Sequence, residues 1–505
     1  MVESTNAANP FEVLIAEITA AASWDAPARQ RLVARLTALG QPIEALHLAA
    51  PGEAEAAATL VMEGFNAQIA AGDLAAAERH AAALTAYAPG NFAVLEAALA
   101  CNRNLGHQAR ARHFARQMVA LEPDHVGAHL VLLEAAVASG DAAGELASRT
   151  CLAVAPAGAI HPLRRLHEAH RAISLHLLHP LDAARAAAVQ ALVLAARQVE
   201  PDALPEGEAR HWARHYRHLA EAADQELLGG LVEPVSITAI HRAFGRAFGW
   251  PQLRRQAACR TAKLAFVVAA DAAYLRLYGR AYLSSILRHC EVPALVVVHV
   301  IGGQRELPQL IRLMDLDDAR ILFTTDDFVA AAVTTQCHDS DGPRRLPVAH
   351  FQSTRFAVAR RVMQELRLPV FVSDIDCVLQ RGVGDLVERF AASDIVLNRN
   401  AASDSFGSHI TANLLLAFPT DAGHAFLAEL QGYLEGALTA PHVTRWIDQT
   451  GLQLCWNRHA AAMRFGWFDT QADINNVMYP RWQPNPFRFL SLFHGFDMAS
   501  LPRAA

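Results

Sequence analysis

The sequence predicts a multidomain chain of two parts: an all-α helical-repeat array in the N-terminal half and an α/β domain in the C-terminal half. Three observations predict it. Gly72, Gly106 and Gly140 recur at a spacing of 34 residues within Ala- and Leu-rich sequence that has few β-branched runs. After residue 262, short apolar runs that close on Asp or Gly alternate with stretches of helical periodicity. Between these regimes, Gly229-Gly230 and Gly249-Trp250-Pro251 break the chain around a short helix-like segment. The expected division is therefore 1–229 for the array, 230–262 for a linker or hinge, and 263–505 for the α/β domain. A chain of 505 residues exceeds what one ordinary core holds, in keeping with this division.

Composition narrows the functional classes. Half of the chain is apolar and 19% is charged, as in a globular protein, and a net charge of −6 argues against a nucleic-acid partner. Lys263 is the single lysine among the 44 basic residues, so anion binding falls almost wholly to guanidinium groups. This bias, like the abundance of Ala, fits a GC-rich, bacterial-type genome. The 7 cysteines are scattered without a C-x-x-C pair, which argues against a disulfide framework or zinc site and fits a reducing compartment. The N-terminus carries no basic, apolar leader, and no run of 18 apolar residues occurs anywhere. The expectation is a soluble cytoplasmic protein without a transmembrane segment; the sequence leaves a homo-oligomer open.

In the first half the breaks recur in register. Pro89 and Pro123 are also 34 apart, and Ala77, Ala81 and Leu84 answer to Ala111, Ala115 and Met118. Glycine at an inter-helix turn, alanine where helices touch and proline after the second helix resemble the tetratricopeptide (TPR) repeat. The clear units are 58–91, 92–125 and 126–158, with a further one at 170–203. The signature Trp and Tyr positions are missing. Such units stack into a solenoid whose groove commonly holds a peptide or helix. His176, His179, His211, His215 and His218 include helical i, i+3 and i, i+4 spacings, but without an H-E-x-x-H pattern they read as a solvated face.

In the second half, strands are expected at 264–270, 294–301, 320–324, 370–373 and 394–398, with helices at 278–289, 307–314 and 351–366. Strand–helix alternation implies a mostly parallel sheet whose ligands lie beyond the carboxyl ends of the strands. Asp271, Asp326 and Asp374 each follow such a strand. No Gly-rich phosphate loop follows the first strand, which argues against a dinucleotide fold, a P-loop or a nucleotidyltransferase. Residues 334–347 read as a polar loop without strand or helix pattern.

Asp374-Ile375-Asp376 ends the fourth strand, and adjacent carboxylates at a strand end repel and resist desolvation. A divalent cation bound through oxygen removes that cost, with phosphates and water completing its shell.

The order of features around this pair resembles the GT-A nucleotide-sugar glycosyltransferases, especially the family-8-like group typified by glycogenin and bacterial lipopolysaccharide galactosyltransferases. The opening strand, Asp271 and Tyr274 are followed by Tyr282-Leu-Ser-Ser-Ile-Leu287; Ser353-Thr-Arg355-Phe356 precedes the acidic pair; Gly384-Asp-Leu386 follows it. Asn413 lies in a strand, Asp448-Gln449 precedes a helix, and His494-Gly495 comes near the end. The resemblance spans about 263–497. It departs from the family at two places. Leu415 stands where the Asn strand carries glycine, and Phe-Asp-Met follows the late His-Gly where a lysine would contact the diphosphate.

The resemblance implies a metal-dependent, retaining transfer of a sugar from a nucleotide diphosphate, UDP by expectation. It implies Mn²⁺ or Mg²⁺ at Asp374, Asp376 and His494, acting as Lewis acid on the departing diphosphate. Arg355 is the expected second cation. Asp271 and Tyr274 are expected at the nucleoside, and Asn413, Asp448 and Gln449 on the sugar and acceptor side, with Asp448 as base or oxocarbenium stabiliser. The repeats then suggest a protein or peptide acceptor. The competing expectation is a non-catalytic scaffold with a degenerate transferase domain.

Overall fold

The computed structural model describes residues 26–38, 41–42, 45, 54–224, 260–303, 305–315, 318–326, 328–329, 336–339, 342–344, 348–440, 442–474 and 487–491. The chain divides into two compact units, Met1–Ala155 and Pro156–Ala505.

The first unit is helical throughout its described length. After α1 (Ala26–Ala38) come three helix pairs: α2 (Ala54–Ala71) with α3 (Leu74–Tyr87), α4 (Phe92–Asn104) with α5 (Gln108–Leu121), and α6 (Val126–Ser139) with α7 (Ala142–Val154). Each pair matches one expected repeat. Gly72, Gly106 and Gly140 take φ of +76°, +75° and +68° at the turn inside each pair, a left-handed conformation that suits glycine. Asp73 and Asp141 then cap the second helix of their pairs, and Asn91 caps the first helix of the middle pair, each accepting a backbone N–H through the side chain; His107, after Gly106, makes no such bond. The small residues are where helices touch: Ala77, Ala81, Ala111, Ala115 and Met118 are all fully buried. Arg110 to Glu78 and Arg103 to Glu134, both 2.8 Å, tie neighbouring pairs together at the surface.

The second unit opens with three more helices, α8 (Pro162–Leu177), α9 (Ala183–Arg197) and α10 (Glu208–Ala222). The α/β part runs β1 (Leu264–Ala270), α11 (Ala272–His289), β2 (Ala294–Val300), α12 (Leu307–Met314), β3 (Ile321–Thr325), β4 (Gln336–Asp339), β5 (Gly342–Arg344), α13 (Val348–Leu366), β6 (Val370–Ser373), β7 (Cys377–Leu379) and α14 (Gly384–Arg389). It continues through β8 (Ile395–Arg399), α15 (Phe406–His409), β9 (Ile410–Ala417), α16 (Asp421–Thr439), β10 (His442–Thr444), α17 (Ile447–His459), β11 (Phe465–Trp467) and β12 (Phe489–Ser491). Seven strands form one mixed sheet in the order β11-β8-β9-β6-β1-β2-β3. All pairings are parallel except those of β9, which runs antiparallel to both β6 and β8. Strands β1 and β2 are buried along their full length, as expected for parallel strands covered on both faces.

Segment 334–347 departs from expectation: β4 and β5 form a hairpin, and β10 adds to it in parallel, making a small second sheet. These strands are short and polar, so they carry no apolar alternation to read.

Helices α8–α10 are held to the α/β part by buried polar links. Asn457 Nδ2 donates to the carbonyls of Leu177 (2.7 Å) and His179 (2.6 Å). Gln453 Nε2 donates to Leu177 O (2.6 Å), and the Tyr433 hydroxyl to Ala222 O (2.6 Å). The histidines of α10 are half-buried rather than solvated. His211 and His215 pack edge-on against Trp212, and His218 stacks on His442. No described helix is long and apolar enough to cross a membrane.

Candidate active site

Strand β6 delivers the acidic pair to the carboxyl end of the sheet, next to the end of β1. Its last residue, Ser373, is fixed by the buried Tyr282 hydroxyl at 2.8 Å. The Asp374 N–H donates to Asn413 O on β9, and the Cys377 N–H donates back to Asp374 O. Ile375 is only 4% exposed and belongs to the sheet core, so the middle residue of the motif anchors the turn while both carboxylates stay partly accessible.

Arg355 organises the cluster from α13. Its Nη1 lies 2.9 Å from Asp374 Oδ1, and its Nη2 donates to Asp448 Oδ2 and to Ala412 O, both at 2.9 Å. Arg355 and Asp448 are almost wholly buried. Burial pushes Asp448 up to about 6, against the pull of Arg355 and with the help of Asp374. Asp376 is pushed further, to about 8, by burial and by the neighbouring Asp374 charge. Both Nη atoms of Arg355 are thus committed to protein acceptors, and the guanidinium serves to hold carboxylates in place.

Asp271 and Tyr274 stand at the start of α11, immediately after β1. Asp271 Oδ1 caps the helix by accepting the Tyr274 N–H at 2.8 Å. The Tyr274 ring is 39% exposed. Its hydroxyl is pushed up by burial and then by Asp376, with Asp271 and Asp374 adding and Arg445 opposing. These charges therefore converge on one spot. Asn413 faces the same region across the β6–β9 pairing. Its Oδ1 accepts from Asn398 Nδ2 (2.7 Å) and Thr411 Oγ1 (3.0 Å), while its Nδ2 donates to Ser491 Oγ (3.1 Å). Gln449 gives its backbone N–H to Asp448 Oδ1 at 2.9 Å, and its side chain is half-buried. His494 lies outside the described residues.

The structure thus gathers Asp271, Tyr274, Arg355, Asp374, Asp376 and Asp448 at one end of the sheet, with Asn413 and Gln449 beside them. Two carboxylates with an all-oxygen donor set and mutual repulsion, one of them raised to about 8, suit a hard divalent cation. No group of three or more His, Cys, Asp or Glu in ligand geometry occurs among the described residues.

Two further features flank the cluster. At the ends of β2 and β3, the buried His299 ring spans Thr324 Oγ1 and Asp326 Oδ2, each at 3.0 Å. Asp326 Oδ1 in turn accepts the backbone N–H of Gly302 and of Phe328, pinning the turn after β2. Within the second unit, a cavity of about 620 Å³ opens between α10 and β10. Arg197, Arg214, Arg217, His442 and Thr444 line it, as does Ile447, which precedes Asp448 in the chain.

No family model matches this chain, and no curated protein does. Among solved structures, one that is similar is the crystal structure of mouse xyloside xylosyltransferase 1 in its apo form. It has a TM-score of 0.27 and 11% identity, covering 42% of this chain and 86% of that one.

Proposed function

We propose that this protein is a metal-dependent glycosyltransferase that moves a sugar from a nucleotide diphosphate, UDP by expectation, to an acceptor recruited by the helical repeats, plausibly a polypeptide. The observation that carries the reading is that Arg355 holds Asp374 and Asp448 together beside Asp376, with Asp271 at the end of the adjacent parallel strand, beyond the carboxyl ends of the sheet. Arg355 is shared by Asp374 and Asp448, and Asp376 beside them, raised to about 8 by burial and by Asp374, holds a proton near neutral pH that a divalent cation would displace.

Asp374 and Asp376 would hold Mn²⁺ or Mg²⁺, with His494 as the third ligand that the family resemblance implies. When bound, the ion supplies Lewis-acid stabilisation of the charge that grows on the diphosphate as the sugar C1–O bond breaks. The chain's own groups supply the rest. Arg355 fixes Asp374 and Asp448 relative to each other. Asp448, raised to about 6, has the acidity range of a group that stabilises developing positive charge on the sugar or takes the acceptor proton as the new C1–O bond forms. Tyr274 offers an exposed ring at the mouth on which a base can stack.

A second reading, a scaffold that retains the fold without turnover, is favoured by Leu415. That residue is fully buried and pairs with Val372 and Leu397, where the family glycine lets backbone approach the sugar. Calorimetry with UDP-sugars decides between them in part. Metal-dependent binding that disappears in EDTA and in Asp376→Ala is expected; equal affinity with and without metal would sink the metal site. Slow donor hydrolysis without acceptor is expected of an enzyme, and its complete absence alongside intact binding would favour the scaffold.

A further inference from the structure

The cavity of about 620 Å³ between α10 and β10 has no part in the chemistry proposed above and shares no residue with the carboxylate cluster. Its volume falls within the range of about 300–1,000 Å³ that small-molecule sites occupy. Two kinds of surface meet in it. Pro201, Ala222, Val443 and Ile447 give it an apolar wall, while Arg197, Arg214, Arg217, Asp202 and Gln336 bring polar groups.

These polar groups are held in place but only partly used. Arg214 reaches Asp202 Oδ1 through Nε (2.7 Å) and Nη2 (2.5 Å), which leaves its own Nη1 and Asp202 Oδ2 without partners among the described residues. Arg217 donates from Nε to Glu221 Oε1 (3.1 Å) and from Nη1 to Val199 O (2.9 Å), so its Nη2 is unused. Arg197 gives Nη2 to Asp224 Oδ2 (2.5 Å) and keeps Nε and Nη1. The exposed Gln336 amide makes no hydrogen bond among the described residues, and the Thr444 hydroxyl, in the same wall, has no partner although Thr444 is 1% exposed.

Charge decides what such a site takes. Asp202, Glu221 and Asp224 balance the three guanidiniums, and Glu200 lies 3.6 Å from Arg217 as well. His442 adds no positive charge near neutral pH, because burial and the neighbouring His218 hold it below its ordinary value. An anion entering this cavity would find no cationic excess and would be repelled by the carboxylates. A neutral polyol meets donors and acceptors side by side at fixed positions, and an apolar wall for its C–H faces. We propose that this cavity binds a neutral saccharide, whose hydroxyl oxygens accept from the unused N–H groups of Arg197, Arg214 and Arg217 and whose hydroxyl protons are donated to Asp202 Oδ2. The proposal goes beyond the glycosyltransferase reading and does not rest on it. Ile447, in the cavity wall, is followed directly by Asp448, so an occupant lies against the start of the helix that carries that carboxylate.

The test is ligand-observed NMR on the full chain with glucose, galactose, xylose, N-acetylglucosamine, maltose and lactose, and with inorganic phosphate as the anion. At least one sugar is expected to bind and phosphate is not. Affinity for that sugar is expected to fall about 10- to 100-fold in Arg214→Gln, the range for losing a hydrogen bond to a charged group, and about 3- to 10-fold in Gln336→Ala. The Arg214 side chain is 40% exposed, so the loss of its pair with Asp202 is expected to leave the melting temperature nearly unchanged. Asp376→Ala is expected to bind the sugar as wild type does. Binding of none of these sugars overturns the proposal, as does binding of phosphate alone, which would mark an anion site. Sugar binding that survives both Arg214→Gln and Gln336→Ala but is lost in Asp376→Ala also overturns it, by placing the sugar at the carboxylate cluster and leaving the transferase reading intact.

Discussion

Arg355 is a buried guanidinium whose value lies in what its removal would leave behind. Asp448 is 2% exposed, and Arg355 supplies its ion pair. Breaking such a pair costs about 3–5 kcal/mol, whereas replacing both partners by apolar groups is often nearly neutral. Arg355→Ala is therefore expected to destabilise the second unit by about 3 kcal/mol near neutral pH, read as a lowered melting transition in the metal-free protein. The loss has a sign in pH. Asp448 already sits above its ordinary 3.8, and without Arg355 it rises further. A folded state that holds a proton the unfolded chain has released loses stability as pH rises, by up to about 1.4 kcal/mol per unit. The gap between variant and wild type is expected to widen from pH 5 to pH 8. A gap constant with pH would mean that Asp448 does not carry the cost, and Arg355→Met with Asp448→Leu is expected to recover most of the stability.

Among the elements, legibility follows the physics of burial. Strands β1, β2 and β6 are sealed on both faces, so each is a continuous apolar run visible in sequence. The hairpin of β4 and β5, with β10 beside it, is held by backbone pairing among polar residues, and nothing in residue order announces such pairing. The helix pairs were legible because their turns impose chemistry: glycine at positive φ, followed after Gly72 and Gly140 by an Asp that caps the next helix. A consequence is testable at Gly106, whose surroundings leave room for a Cβ but whose φ is +75°. Gly106→Ala is expected to cost about 1–2 kcal/mol from backbone strain alone, measured by thermal melting of residues 1–155, and to perturb α4 and α5 first in hydrogen exchange. No loss would show that the turn relaxes out of the left-handed region. The site shows the same divide. The acidic pair announces itself as three consecutive residues. The Arg355–Asp448 bond joins positions 93 apart in sequence and comes into view only with the fold.

At the scale of the whole molecule, the change in sequence texture near residue 230 and the change in packing near 155 are different boundaries. Texture records which elements form, and packing records what buries them. Helices α8–α10 read as the end of a helical array, yet they fill the partners of Tyr433, Gln453 and Asn457 in the α/β part. Residues 156–505 expressed alone are expected to be folded and cooperative. Residues 230–505 would leave those buried groups unsatisfied at about 1–3 kcal/mol each, and are expected to be poorly soluble and to lack a sharp melting transition. Equal stability of the two fragments would show that α8–α10 are dispensable to the α/β core. The solitary Lys263 acquires a practical meaning from its place before β1, exposed at the end of the sheet remote from the carboxylates. Seven residues of strand separate it from Asp271, roughly 26 Å over eight steps at the rise of a parallel strand. Apart from the chain's own α-amine, an amine-directed dye or surface linker has one address on this protein, at a fixed and harmless remove from the chemistry. Tethering through it would present every molecule with its mouth facing the same way.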